Sequence, residues 1–191
     1  MVCLTGFMGS GKSTVGRLLA AQLAWHFIDL DAEIEQHTGL QISQIFEQKG
    51  ELVFRDIEHK CLARVLGWAS EQDARVVLAL GGGTFAQLRN AALIRNFGSP
   101  QRSGVAMIWL DCPMQGLLQR CVLMGDRPLF RDEASFRKLY EERLPYYQQA
   151  DYRIESSGEP IRVVEQILAL GIFDRSARVP ADGATPEPPL I

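Results

Sequence analysis

Gly6-Phe7-Met8-Gly9-Ser10-Gly11-Lys12-Ser13 sets a lysine and a hydroxyl directly behind a glycine-rich turn. That is the phosphate-binding pattern G-x-x-x-x-G-K-[ST], which needs a strand before it and a helix after it. Both are legible. The apolar run Val2-Cys3-Leu4-Thr5 leads in, and Val15, Leu18, Leu19 and Leu23 follow in a helical pattern. In such a loop the backbone turns successive N–H groups inward around a phosphate, and the helix N-terminus adds partial positive charge. Lys12 then reaches the β- and γ-phosphates, and the Ser13 hydroxyl ligates Mg²⁺. A glycine-rich turn that binds nothing is the plainer alternative, but a full motif match with both flanks correct weighs against it. The stretch predicts binding of a nucleoside triphosphate.

Three further groupings carry chemistry. His26-Phe27-Ile28 reads as a short strand running into Asp29-Leu30-Asp31. Loops beyond strand C-termini form the ligand crevice of an open parallel sheet, so both carboxylates are expected to face the phosphate loop. Strand alternation puts Asp29 and Asp31 on the same side. Asp31 is equally placed to cap a helix over 32–37 that Gly39 ends, though two carboxylates exceed what a cap needs. On a longer helix, Arg55 and Glu58 are three apart and share a face. By spacing alone Arg55 reads first as a solvated pair with Glu51 or Glu58, worth about 0–1 kcal/mol. Finally, Gly81-Gly82-Gly83 closes an apolar strand over 75–80, where glycines permit close approach of backbone to a ligand.

The elements that must position these groups alternate between strand and helix. Helices are expected over 12–24, 32–37, 44–49 (capped by Ser43 and closed at Gly50), 51–68, 88–96, 113–123, 133–147 (interrupted by Pro145) and 160–170. Strands are expected near 2–5, 26–31, 75–80, 105–110 and 151–154. This order predicts a three-layer α/β/α fold with a mostly parallel five-stranded sheet, a P-loop NTPase architecture. Charge, Gly and Pro break helical periodicity over 124–132, which reads as a mobile lid at about 123–133. The folded P-loop domain is expected over 1–175, followed by a Pro- and Ala-rich disordered tail over 176–191.

Composition is that of an ordinary globular chain: 191 residues, 47% apolar, 23% charged. A net charge of −3 supplies no global field for nucleic acid or an anionic membrane, so anionic substrates must be met by local arginines. The four cysteines lack C-x-x-C spacing and read as reduced thiols of a cytoplasmic protein. No apolar run approaches a membrane span.

Gly9-Ser10-Gly11-Lys12-Ser13-Thr14, Asp29-x-Asp31, Phe54-Arg55-x-x-Glu58, Gly81-Gly82-Gly83, Asp126-Arg127-Pro128-Leu129 and Arg143-x-Pro145-x-Tyr147 occur together in one order and spacing. In these, over about residues 2–170, the chain resembles shikimate kinase. The resemblance implies ATP-dependent phosphorylation of the shikimate 3-hydroxyl, giving shikimate 3-phosphate and ADP on the route to chorismate and the aromatic amino acids. It implies ATP and shikimate as small-molecule partners, Mg²⁺ as cofactor, and a monomer.

Residue by residue, Gly9, Ser10, Gly11, Lys12, Ser13 and Thr14 would bind ATP, with Arg120 against adenine and Arg127 swinging from the lid onto the phosphates. Asp31 would orient or deprotonate the attacking hydroxyl, and Arg55 and Arg143 would hold the substrate carboxylate. Glu58 would orient Arg55, Gly82 and Gly83 would contact the ring, and Asp29, through water, would place Mg²⁺ with Ser13. A gluconate or nucleoside monophosphate kinase shares loop and fold, but the triple glycine and F-R-x-x-E argue against both. A non-catalytic nucleotide-dependent regulatory module would not need Asp31, Arg55 and Arg143 together.

The tail reading is directly testable. A chain ending at Ser176 should match the full chain in activity and melting temperature, because residues beyond it offer no periodic apolar face to dock; a loss of several degrees on truncation would show that they pack on the domain.

Overall fold

The computed structural model describes residues 1–97, 104–124 and 132–173. Arg127, most of the expected lid and the tail over 176–191 lie outside the described residues. Twelve elements follow in order: β1 (Val2–Thr5), α1 (Lys12–Leu23), β2 (His26–Asp29), α2 (Leu30–Thr38), α3 (Ile42–Glu71), β3 (Val76–Ala79), α4 (Leu88–Arg95), β4 (Ala106–Asp111), α5 (Met114–Met124), α6 (Glu133–Tyr147), β5 (Tyr152–Glu155) and α7 (Pro160–Leu168).

The strands read as continuous apolar runs because both faces of the sheet are covered. Alternation divides them. Val2, Leu4, Val77 and Ile108 pack with α1 and α7 on one face, whereas Cys3, Val76 and Leu78 pack with α2, α3 and α4 on the other. All four cysteines are free and buried, and burial pushes the Cys3 thiol up to about 12, so it sits as an inert apolar group.

The sheet order is β2-β3-β1-β4-β5, with every pair parallel. Pairing aligns Asp29 with Ala79, and Ala79 with Leu4, at the C-terminal ends of three adjacent strands. The loops that leave those ends are the aspartate segment, the triple glycine and the phosphate loop. Three stretches far apart in sequence thus emerge side by side, in the crevice an open parallel sheet offers to ligands.

Three local expectations are corrected. First, β2 ends at Asp29 and α2 begins at Leu30, so strand alternation does not extend to Asp31. Asp29 is the N-cap, its Oδ1 accepting from the N–H of Asp31 at 3.1 Å and of Ala32 at 3.5 Å. Asp31 sits instead in the first helical turn, where the dipole favours its charge.

Second, Gln41 rather than Ser43 opens α3, through a reciprocal capping box with Gln44. The two helices expected on either side of Gly50 are both present, and α3 joins them across a kink where Gly50 is non-helical at φ 78°. Third, α6 runs through Pro145 to Tyr147. Pro145 and Glu141 lie on the exposed side, where solvent takes the carbonyl that the missing N–H leaves unpaired.

Close packing of α1 on the sheet is what aims the phosphate loop. A side chain at Gly16 would bring its first carbon to 2.6 Å from the Phe27 ring and 3.2 Å from Leu4. Gly16→Val should therefore destabilise by about 1–3 kcal/mol through overpacking, lowering the melting temperature by roughly 2–12 °C for a domain of this size. An unchanged melting curve would show that α1 has room to move.

Candidate active site

Gly11, at φ 94°, is the N-cap of α1 in a conformation that excludes most side chains, and it delivers Lys12 and Ser13 into the first helical turn. Lys12 Nζ donates to the carbonyls of Gly6 at 2.9 Å and Phe7 at 3.0 Å, so the amine is held over the loop it serves. Arg120, from α5, closes the loop's other side: Nη1 donates to Gly9 O at 3.2 Å, and Nη2 to the carbonyls of Ser156 and Ser157 at 3.1 and 3.2 Å. Beneath the loop, the Phe7 ring meets Phe136 edge-on at 4.9 Å and Tyr140 at 5.3 Å. Phe7 is a variable position of the motif, and here it anchors the phosphate loop to α6.

Beside the loop opens a cleft of about 530 Å³. Its lining includes Ser13, Asp29, Asp31, Arg55, Glu58, Gly81, Gly82, Gly83 and Arg143, the metal and substrate candidates expected from sequence. Phe46, Phe54 and Ile42 from α3 add an apolar wall, and Glu35 and Gln41 add polar groups that sequence reasoning did not single out.

The triple glycine is required by close approach. A first side-chain carbon at Gly83 would lie 2.7 Å from Arg55 Nη2 and 3.0 Å from Arg143 Nη2; one at Gly81 would lie 2.7 Å from Asp31 Oδ1. Two guanidiniums therefore converge on one side of the glycines and a carboxylate on another. Arg143 is 7% exposed, lies 5.7 Å from the Phe7 ring centre, and pairs with no carboxylate among the described residues. Tyr147, one turn on, donates its hydroxyl to Gly82 O and fixes the glycine segment. Burial drives its phenol pKa up while the Arg143 guanidinium opposes, so it remains a donor.

Arg55 is not the surface residue that spacing alone favours: its side chain is 9% exposed and that of Glu58 is 0% exposed. Arg55 Nη1 donates to both Glu58 oxygens, at 3.2 and 3.1 Å. The same carboxylate accepts from Thr84 Oγ1 at 2.7 Å and Asn90 Nδ2 at 3.4 Å. Because Asn90 turns its NH₂ to a carboxylate that can only accept, its Oδ1 faces His59 Nδ1 at 2.7 Å, which assigns the proton to that nitrogen. Thr84, Asn90 and His59 were not picked out by sequence reasoning. Their signal is weak, since a polar residue after a glycine run or on a short helix reads as solvent-facing.

A strand–phosphate loop–helix beside a cleft with two converging arginines and a helix-mounted aspartate defines a P-loop phosphotransferase site. A family model described as shikimate kinase matches residues 8–170. The chain is 43% identical over 169 residues to shikimate kinase of Gloeobacter violaceus, covering 86% of this chain and 88% of that one. It is 40% identical over 169 residues to that of Persephonella marina, covering 87% and 96%. The solved structure of shikimate kinase from Acinetobacter baumannii in complex with shikimate is 34% identical with a TM-score of 0.80, covering 92% of this chain and 94% of that one. The chain belongs to the shikimate kinase family.

The buried pair yields a stability prediction. Arg55 and Asn90 present only donors to Glu58, so a glutamine there loses the charge that pairs with Arg55 and finds an acceptor for its NH₂ group only at the Thr84 hydroxyl. Glu58→Gln should cost about 3 kcal/mol, the lower end for breaking a buried ion pair because Glu51 also contacts Arg55. Denaturant unfolding reads this out, and a change below about 0.5 kcal/mol, the scale of a surface substitution, would show that the carboxylate is not needed.

Proposed function

We propose that this protein transfers the γ-phosphoryl group of ATP to the 3-hydroxyl of shikimate. The observation that carries the reading is the convergence of Arg55 and Arg143 on Gly83, with Arg143 lacking a carboxylate partner among the described residues. A buried guanidinium calls for an anion, and a planar fork suits a carboxylate held by two bonds. Asp31, against Gly81 in the same cleft, is placed to receive the hydroxyl.

In this reading the hydroxyl oxygen forms its bond to the γ-phosphorus as the bond to ADP breaks, and Asp31 aligns the hydroxyl and takes its proton. Such transfers have a loose transition state, so the protein's share is positioning and neutralising charge on the moving oxygens. Lys12 supplies that charge from the phosphate loop; Arg127 and Arg120 are assigned to the phosphates and adenine. Glu58 aims Arg55. The apolar wall at Phe46 and Phe54 excludes water from the ring.

A divalent ion fits Ser13 and Asp29. Both line the cleft and both offer the hard oxygen donors that Mg²⁺ takes, and Asp29 uses only Oδ1 for its cap. Among the described residues no cluster of three or more acidic, His or Cys ligands stands ready, as expected for an ion held mostly by water and nucleotide. Bound there, Mg²⁺ would neutralise charge on the phosphates. No helix of the described residues is long and apolar enough to cross a membrane. A cytoplasmic location accords with the four free thiols.

Two sets of variants test the reading. Asp31→Asn keeps shape but loses the proton acceptor, so kcat should fall by roughly 10²–10⁴-fold with ATP affinity little changed. Asp29→Asn should instead raise the Mg²⁺ concentration needed for half activity. Arg55→Ala and Arg143→Ala should each cost about 2–5 kcal/mol in kcat/KM for shikimate, with Arg→Lys rescuing only in part. A shikimate analogue bearing a neutral amide in place of the carboxylate is the control. Equal losses on acid and amide would mean that these arginines do not hold the carboxylate.

A further inference from the structure

Arg55 enters the cleft with most of its donors already engaged. A guanidinium carries five N–H groups. Nη1 faces both oxygens of Glu58, at 3.2 and 3.1 Å. Nε and Nη2 together hold Oε1 of Glu51, at 3.2 and 3.0 Å. The Nε–Nη2 edge is one that can grip a carboxylate with two parallel bonds, and here an internal carboxylate sits on it.

The two glutamates differ in what their release would cost. The Glu58 side chain is 0% exposed and the Glu51 side chain 55%. Removing Glu58 from Arg55 strands a carboxylate away from water, whereas Glu51 gives up its contact to solvent. Glu51 is also the first residue after the kink at Gly50, so it starts a helical segment whose dipole favours a carboxylate without any arginine. Glu58 is the fixed partner of the clamp and Glu51 the exchangeable one.

We propose that Glu51 is an internal competitor that sets affinity for the substrate anion: its carboxylate holds the Nε–Nη2 edge of Arg55 until the substrate carboxylate replaces it. This rests on Arg55 being a carboxylate clamp, as proposed above. Substrate binding then exchanges one carboxylate for another. A neutral ligand leaves the Arg55–Glu51 pair intact and gains nothing from Arg55, while Arg143, with no carboxylate of its own among the described residues, draws the incoming anion toward the exchange.

The test measures dissociation constants of shikimate and of its neutral amide analogue by calorimetry, for the unaltered protein, Glu51→Gln, Glu51→Asp and Arg55→Ala. Glu51→Gln removes the competitor. Because the Glu51 end of the pair is open to solvent and such pairs are weak, shikimate should bind roughly two- to fivefold more tightly, with the amide unchanged. Glu51→Asp keeps the charge but is one methylene short of the edge, and it should tighten shikimate as well.

Weaker shikimate binding by Glu51→Gln would mean that Glu51 aims Arg55, and would overturn the proposal. So would an unchanged constant. Tightening by Gln but not by Asp would reveal plain charge repulsion, again overturning it. Arg55→Ala separates the two levels. If it leaves shikimate binding intact, the clamp reading itself fails and this inference falls with it. If it weakens shikimate while Glu51→Gln brings no tightening, only the role of Glu51 is lost.

Discussion

Glu58 puts a carboxylate where no water reaches it, and the cleft beside the phosphate loop is arranged around that demand. Arg55, Thr84 and Asn90 all turn donors toward it, and His59 completes the chain behind Asn90. Holding Glu58 holds Arg55, because the two share a helix face and Nη1 is committed to the carboxylate. Holding Arg55 in that pose in turn forbids a side chain at Gly83. One buried charge therefore dictates residue types on α3, on α4 and in the loop between β3 and α4. A partly satisfied network of this kind would cost more than an apolar core, which is why all of its members must be present together.

The nucleotide side is organised by packing rather than by charge. β1 and β3 are neighbours, so the phosphate loop and the triple glycine leave the sheet at the same level. Phe7 then ties the loop to α6 through two edge-on ring contacts, and α6 carries Arg143 and Tyr147 back over the glycines. The phosphate loop and the helix that carries Arg143 are in this way parts of one apolar cluster that also holds Trp109, Leu117 and Phe136. Displacing either should be felt by the other, since close-packed interiors transmit strain rather than absorb it.

The position of Asp31 depends on both halves. It stands one residue beyond Leu30, a core residue, in a helical turn that Asp29 initiates by capping. Its carboxylate rests against Gly81 beside Thr84 and Glu58, all three gathered about a single absent side chain. The two aspartates are thereby divided by geometry: one spends an oxygen on the backbone, the other is presented to the cleft.

Much of this protein is determined by its sequence alone. The G-x-x-x-x-G-K-S loop between an apolar run and a helical period, and five strands alternating with helices, are local patterns that follow from backbone sterics and side-chain periodicity; the grouping of Asp, Arg and Gly motifs is legible through the family resemblance. The tertiary structure decided the rest. Spacing alone makes Arg55 a solvated partner of Glu51 or Glu58; it is bonded to both, but Glu58 is fully buried and its carboxylate is met by Thr84 and Asn90, 26 and 32 residues away. Alternation carried a strand through Asp31; packing of Leu30 and Ile34 turned the chain into a helix one residue after Asp29. A helix face states which residues are neighbours. Whether they meet water, a partner or a substrate is a property of the whole fold, because desolvation is contributed by every element that packs against them.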